Sequence, residues 1–252
     1  MNAIITNVNV PKVAKFQPLL FSPYTIIGFS YIFWAVLTSH CADATTIFVC
    51  GNRDTLVITT DSKQTNITDH DTSFFPACKI LKINDSLFAA CTGDIAVSES
   101  WNITDSMNLF ANIPWTGNAV NHIRFLSRRI FGFMTTKFMP DSTKPSLKII
   151  YLSREGGKLR VHLATSAPGD SPYHYVLDEF AVADSFRIAF SGVKRDKIRE
   201  ILPPTSTPLI LQAQLAMDAL IAIDTVGSGP PVDMLCLYKT GYRWIQRKPE
   251  CK

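Results

Sequence analysis

Apolar and polar positions alternate in short runs through the first part of the chain after residue 44. Thr46 to Cys50 and Thr55 to Thr60 are β-rich runs joined by Gly51-Asn52-Arg53-Asp54, which reads as a hairpin turn. Lys79 to Ile83 and Leu87 to Cys91 form a second hairpin around Asn84-Asp85-Ser86. Between them residues 62–76 are polar and close on Phe-Phe-Pro without a clear period, the pattern of a loop or lid. From Gly93 the period lengthens. Ile95, Trp101, Met107, Leu109 and Phe110 share one helical face to about Ile113, and a second helix is expected from Asn118 to Met139.

Strand patterns return at Leu147 to Leu152, Leu159 to Ala164, Tyr175 to Ala181 and Phe186 to Phe190. Helices are expected from Arg195 to Leu202, stopped by Pro203-Pro204, and from Pro208 to about Ile223. Met234 to Tyr238 and Tyr242 to Ile245 close the chain as strands around Lys239-Thr240-Gly241. Runs of strands alternating with runs of helices predict an α+β protein, with two stacked sheets between two helical layers, a four-layer αββα sandwich.

Before Thr45 the pattern is different. Residues 16–39 carry no charge, Lys12 and Lys15 precede them, and Ala42-Asp43-Ala44 has the small-x-small form of a signal-peptidase site. Residues 1–44 are therefore expected to be a leader, and residues 45–252 one domain. The apolar run is also long enough to span a bilayer, so an uncleaved signal anchor stands as the alternative. Export would place the domain in the periplasm or outside the cell; retention of the leader would leave it membrane-anchored.

The bulk composition narrows the classes. Hydrophobic residues make up 46% and charged residues 18%, which fits a chain with a sizeable core. Net charge is +4, and loss of Lys12, Lys15 and Asp43 with the leader leaves a small, dispersed excess. No nucleic-acid footprint results. Of the cysteines, Cys50, Cys91 and Cys236 lie in apolar runs and read as buried thiols. Export leaves one or two disulfides open, with no pairing assigned. No cysteine or histidine cluster has zinc spacing, and no GxSxG elbow occurs.

Cutting after Ala44 makes Thr45 the first residue, with a hydroxyl nucleophile and a free amine together. The amine has a pKa of about 8 and acts as a base when neutral. A neighbouring ammonium favours that neutral form, and a carboxylate can hold the ammonium. Asp61 ends one strand, Lys79 opens another, and Gly93 sits at the expected strand-to-helix break, where backbone N–H groups suit an oxyanion.

With these residues at these spacings, the stretch from Thr45 to Ile245 resembles the β-type subunits of the proteasome and the related bacterial two-component peptidase, both N-terminal-nucleophile hydrolases. Thr45-Thr46-Ile47 matches the mature start, and Thr45 to Asp61 and Lys79 to Gly93 have the family spacing. The resemblance implies catalytic roles for Thr45, Asp61, Lys79 and Gly93. It further implies that Ser191, in Phe190-Ser191-Gly192, together with Asp224 and Ser228, orients the amine and a water. Ser228 lies one residue further from Asp224 than in the family, and alanine rather than glycine precedes Thr45.

The expected activity is hydrolysis of a peptide or other amide bond, with no metal and no cofactor required. A homo-oligomeric ring is implied by the resemblance alone. The alternative is a non-catalytic structural or membrane-anchored subunit, which holds if Ala44–Thr45 is never cut, because an acylated threonine nitrogen cannot act as a base.

Overall fold

The computed structural model describes residues 2–6, 46–61, 63–67, 72–76, 78–93, 96–98, 101–102, 107–109, 112–138, 147–166, 175–191, 195–224, 228–249 and 251. All of them fall in one compact unit. Thr45, Cys41 and the charge-free segment 16–39 lie outside the described residues.

In chain order the strands are β1 (Asn2–Thr6), β2 (Ile47–Gly51), β3 (Thr55–Thr60), β4 (Lys63–Ile67), β5 (Thr72–Pro76), β6 (Ile80–Asn84), β7 (Leu87–Gly93), β8 (Ala96–Ser98) and β9 (Trp101–Asn102). Helix α1 (Ala119–Phe138) follows, then β10 (Leu147–Glu155), β11 (Lys158–Ser166), β12 (Tyr175–Ala181) and β13 (Phe186–Ser191). Helices α2 (Arg195–Ile201) and α3 (Leu209–Ile223) precede β14 (Asp233–Tyr238) and β15 (Tyr242–Gln246).

The strands form a six-stranded sheet in the order β1-β13-β2-β3-β14-β15 and a five-stranded sheet in the order β12-β11-β10-β7-β6. Every pairing in both is antiparallel. Turn chemistry accounts for the hairpins. Asn52 Oδ1 accepts the N–H groups of Asp54 and Thr55 at 2.9 and 3.0 Å, which closes the β2–β3 turn. Gly156 and Gly157 have φ of 56° and 71°, so the two-residue β10–β11 turn needs residues that tolerate the left-handed region. That turn lets β10 and β11 run on to Glu155 and Lys158, beyond the ends expected from alternation.

Ile47, Val49, Leu56, Ile58, Ile188 and Leu235 of one sheet pack with Ile80, Phe88, Ile150, Leu152 and Val161 of the other. Side chains at the alternate positions point the opposite way. Phe48, Cys50, Val57, Ala189 and Cys236 meet Ile198 of α2 and Ala213, Ala216, Met217 and Leu220 of α3. Ala89, Cys91, Ile149 and Tyr151 meet Ile123, Leu126 and Ile130 of α1. Strands buried on both faces read as continuous apolar runs, as β2 and β3 do.

The expected four-layer αββα sandwich is not shown, and this expectation is corrected. The chain is mostly antiparallel sheet with sparse helical cover. The helix expected from Gly93 to Ile113 is replaced by the short strands β8 and β9 and a helical stretch at 107–109. Among the described residues α1 and Met107 of the short helical stretch pack on the five-stranded sheet, and β12 leaves Val176 exposed at its edge. The five apolar residues that fitted a helical face also include β-prone Trp101, and a few apolar positions spread over a long window fit two periods. The expected loop or lid at 62–76 is also different, since β4 and β5 pair as a hairpin of their own.

His162 and Ser153 form a buried polar pair on β11 and β10, with Ser153 Oγ and His162 Nε2 3.1 Å apart. Burial pushes the His162 imidazole down to about 4, with Arg160 adding to the lowering. Below its ordinary value of 6.5 the unfolded chain takes up a proton that the folded chain refuses. Stability is therefore expected to fall by about 3 kcal/mol as pH drops from 6.5 through 4. Urea unfolding across that window should show this loss in the wild type and a shallower slope in His162→Gln.

Candidate active site

The β3 strand ends where the two sheets close on each other. Asp61 follows Thr60, and its N–H donates to the Thr46 carbonyl at 3.1 Å, while the Thr46 N–H donates to Asp61 Oδ1 at 2.8 Å. The Lys79 ammonium donates to the same oxygen at 2.9 Å, and the Gly229 N–H reaches Oδ2 at 3.3 Å. Asp61 leaves β3 of the six-stranded sheet and Lys79 leads into β6 of the five-stranded sheet, so their ion pair bridges the sheets. Asp61 is 0% and Lys79 2% exposed. A charge pair this deep is tolerated only when its lone pairs and protons find partners, and the Thr46, Lys79 and Gly229 donors are among those of Asp61.

Burial pushes the Asp61 carboxyl up, against the pull of Lys79 and of the Thr46 and Gly229 N–H groups. Burial likewise draws the Lys79 ammonium down; Asp61 opposes this and the nearby Lys248 ammonium reinforces it. Lys79 thus holds its proton less firmly than a surface lysine would, and it shares Asp61 Oδ1 with the Thr46 N–H.

A second chain of contacts starts on the other side of Thr46. Its Oγ1 makes a short hydrogen bond with Ser228 Oγ. Ser228 Oγ donates to Asp224 Oδ2 at 3.4 Å, and the Ser228 N–H donates to the Asp224 carbonyl at 2.9 Å. Asp224 caps the C-terminus of α3 through its N–H to Leu220. The structure therefore brings Asp61, Lys79, Asp224 and Ser228 together around Thr46.

Gly93 and Ser191 lie at the same end of the sheets. Gly93 is the last residue of β7 and pairs with Leu147. It ends a strand, and the helix start expected beside it is not among the described residues. Ser191 ends β13, one residue beyond Phe190, which pairs with Ile47. Its side chain, like the whole of Thr45, lies outside the described residues.

Sequence reasoning missed several residues of this neighbourhood. In the sequence Thr46 is only a companion of Thr45, yet both contact chains meet on it. Asp233 and Lys248 form a second buried ion pair at 2.8 Å, and the Lys248 N–H also donates to Asp233 Oδ1 at 3.0 Å. Isolated charges near a chain end carry no pattern that would mark them as buried. Cys78 and Cys251 are joined as a disulfide, with an S–S distance of 1.99 Å. Cys50, Cys91 and Cys236 are free and buried, as their apolar runs implied.

A cavity of about 320 Å³ lies at the opposite, hairpin end of the strands, lined by Arg53, Lys158, Arg160 and Lys239 among others. Its cations are largely committed: Arg53 pairs with Asp184 at 2.8 Å, Lys239 with Asp54 at 2.5 Å, and Arg160 with Glu179. Among the described residues no group of three or more His, Cys, Asp and Glu side chains is placed to hold a metal ion. No helix among them is long and apolar enough to cross a membrane. No protein-family model matches the chain, and none of the curated proteins compared with it matches.

Proposed function

We propose that the chain is the precursor of a threonine-type N-terminal-nucleophile hydrolase acting on peptide or other amide bonds, activated by removal of residues 1–44. One observation carries this reading. A buried lysine–carboxylate pair, with almost no exposure, is fastened to the backbone N–H of Thr46, the residue after the nucleophile. A structural role for such a pair is a weak account, since apolar residues in its place are often as stable. A role in tuning an adjacent amine gives the charges a use.

In the mature chain the α-amine of Thr45 takes the proton from its own Oγ1, directly or through a water. Oγ1 attacks the carbonyl carbon of the scissile amide. The tetrahedral intermediate collapses, the leaving amine departs with the proton, and an ester to Thr45 remains. Water then attacks the ester with the amine again as base, releasing the acid and restoring Oγ1–H. The Lys79 ammonium disfavours a second positive charge on the α-amine and so favours its basic form. Asp61 holds Lys79. The Gly93 N–H is assigned to the oxyanion, and Ser191, Asp224 and Ser228 to orientation of the amine and water.

Export fits the same reading, because the Cys78–Cys251 disulfide suits an oxidising compartment. Signal-peptidase cleavage after Ala44 would then export and activate the chain in one event.

A different observation favours the second reading, an uncut and non-catalytic subunit. The first residues of the expected leader form β1, which pairs with β13 from Asn2↔Ser191 to Thr6↔Arg187. Keeping the leader keeps that strand. Intact mass and N-terminal sequencing of the purified protein separate the two. The hydrolase reading expects a chain starting at Thr45 that cleaves amide substrates; a chain starting at Met1 would overturn it.

A further inference from the structure

Lys79 occupies a precarious place in the fold. It precedes β6, the edge strand of the five-stranded sheet, which among the described residues has a ladder only with β7. That register is irregular between Lys82 and Asn84. No second strand among the described residues holds the start of β6, yet the ammonium of Lys79 must stay on Asp61 at the end of the other sheet. The residue before it supplies a different restraint. Cys78 is bonded to Cys251, 173 positions away.

The tail that this bond recruits is itself organised around charge. The Cys251 N–H donates to the Lys248 carbonyl at 3.0 Å, closing a turn. Lys248 is 2% exposed overall and pairs with Asp233 at 2.8 Å. Asp233 is opposite Thr60 on the neighbouring strand, so Asp61 and Asp233 leave adjacent strands at the same end of the sheet. Two buried ion pairs, Asp61–Lys79 and Asp233–Lys248, thus lie at the same end of the sheet, and the Lys248 charge bears on Lys79 by repulsion, lowering its hold on the proton. Loss of the tail would leave the Asp233 carboxylate without the Lys248 ammonium.

We propose that residues 247–249 and Cys251 support the active site, with Lys248 anchoring this tail on Asp233 and so acting as a positioning residue for Lys79 through the Cys78–Cys251 disulfide, the clamp that joins the tail to the residue before Lys79. The inference rests on the hydrolase reading above for its catalytic consequence, but its structural half stands apart from it. The clamp makes the site dependent on oxidation. A dithiol such as dithiothreitol opens it in two exchanges. One thiolate attacks a clamp sulfur and expels the other cysteine as a thiol. The second thiol then displaces the remaining cysteine and closes the reagent to its own disulfide. Two electrons and two protons pass to Cys78 and Cys251.

The test uses the mature protein in its oxidised and dithiothreitol-reduced forms, with Cys251→Ser beside them. Reduction or Cys251→Ser should lower kcat by about 10- to 100-fold with little change in KM, the signature of a displaced catalytic neighbour rather than of lost substrate binding. Reoxidation should restore the wild type and leave Cys251→Ser unchanged. Lys248→Arg should keep kcat and Lys248→Met should lower it. A readout independent of activity is acylation of lysine amines, mapped by mass spectrometry. Lys79 should be protected in the oxidised form and labelled after reduction, while exposed Lys82 and Lys239 label equally in both. Equal labelling of those two controls, with an unchanged circular dichroism spectrum, shows that the fold survives.

Lys79 protected in every form would overturn the inference and leave the hydrolase reading intact. An unchanged kcat while Lys79 becomes labelled would overturn the catalytic half of the inference and remove Lys79 from the mechanism above. If no form hydrolyses an amide but reduction exposes Lys79, the clamp stands and the hydrolase reading falls.

Discussion

Thr45→Ala in the mature chain is expected to reduce amide hydrolysis to background, a loss on the order of 10,000-fold or more. The substitution removes only the hydroxyl. The α-amine stays, as do the contacts of Thr46 with Asp61 and Ser228, since these use the Thr46 backbone and side chain. Alanine at this position still follows the small-x-small motif, and intact mass confirms that the variant is cut. Thr45→Ser, which keeps both hydroxyl and amine, should retain a measurable share of the rate. The comparison needs only a fluorogenic amide, the three mature proteins and a melting curve for each. Full activity in Thr45→Ala would remove Thr45 from the mechanism.

The second large effect concerns stability as well as rate. Lys79→Met removes the cation from a carboxylate that has no exposure and leaves Asp61 with the Thr46 and Gly229 N–H donors. An uncompensated buried charge costs about 3–5 kcal/mol, which urea unfolding would read as a lower midpoint with an unchanged slope. Adding Asp61→Asn neutralises the remaining charge, and an amide oxygen still accepts one N–H. The double variant is expected to recover at least half of the lost stability and none of the activity. Recovery of both would mean that the pair is architectural. Recovery of stability alone separates what the charges do for the fold from what they do for the amine.

The parts of the fold legible from the sequence are those specified locally. The hairpins at Gly51-Asn52-Arg53-Asp54, Asn84-Asp85-Ser86 and Lys239-Thr240-Gly241 are readable because turn residues interrupt apolar runs. Helices α2 and α3 are readable because Pro203-Pro204 separates two periodic stretches. The hairpin of β4 and β5 is not, because Lys63–Ile67 is largely polar on both faces and shows no alternation. The helix expected after Gly93 fails for the opposite reason: its apolar residues fit a helical period without requiring one. That single error carries the four-layer αββα expectation with it.

For the candidate site the division is sharper. The sequence by itself determined which residue types are available for the proposed amide hydrolysis: a threonine behind a small-x-small motif, a carboxylate ending one strand, a lysine opening another. It also determined the hairpins that carry them. Only the tertiary structure decided which charges are buried together. Lys79 and Lys82 are two lysines on one short stretch, and only the packing of the sheets buries the first and exposes the second. Thr46 meets Ser228 across 182 positions, and Cys78 meets Cys251 across 173. Lys248 finds Asp233 only because a tail folds back on the end of β14. The physical reason is that turn and strand preferences act between neighbours in sequence, whereas the cost of a buried charge is met by whichever partner the sheet register brings alongside.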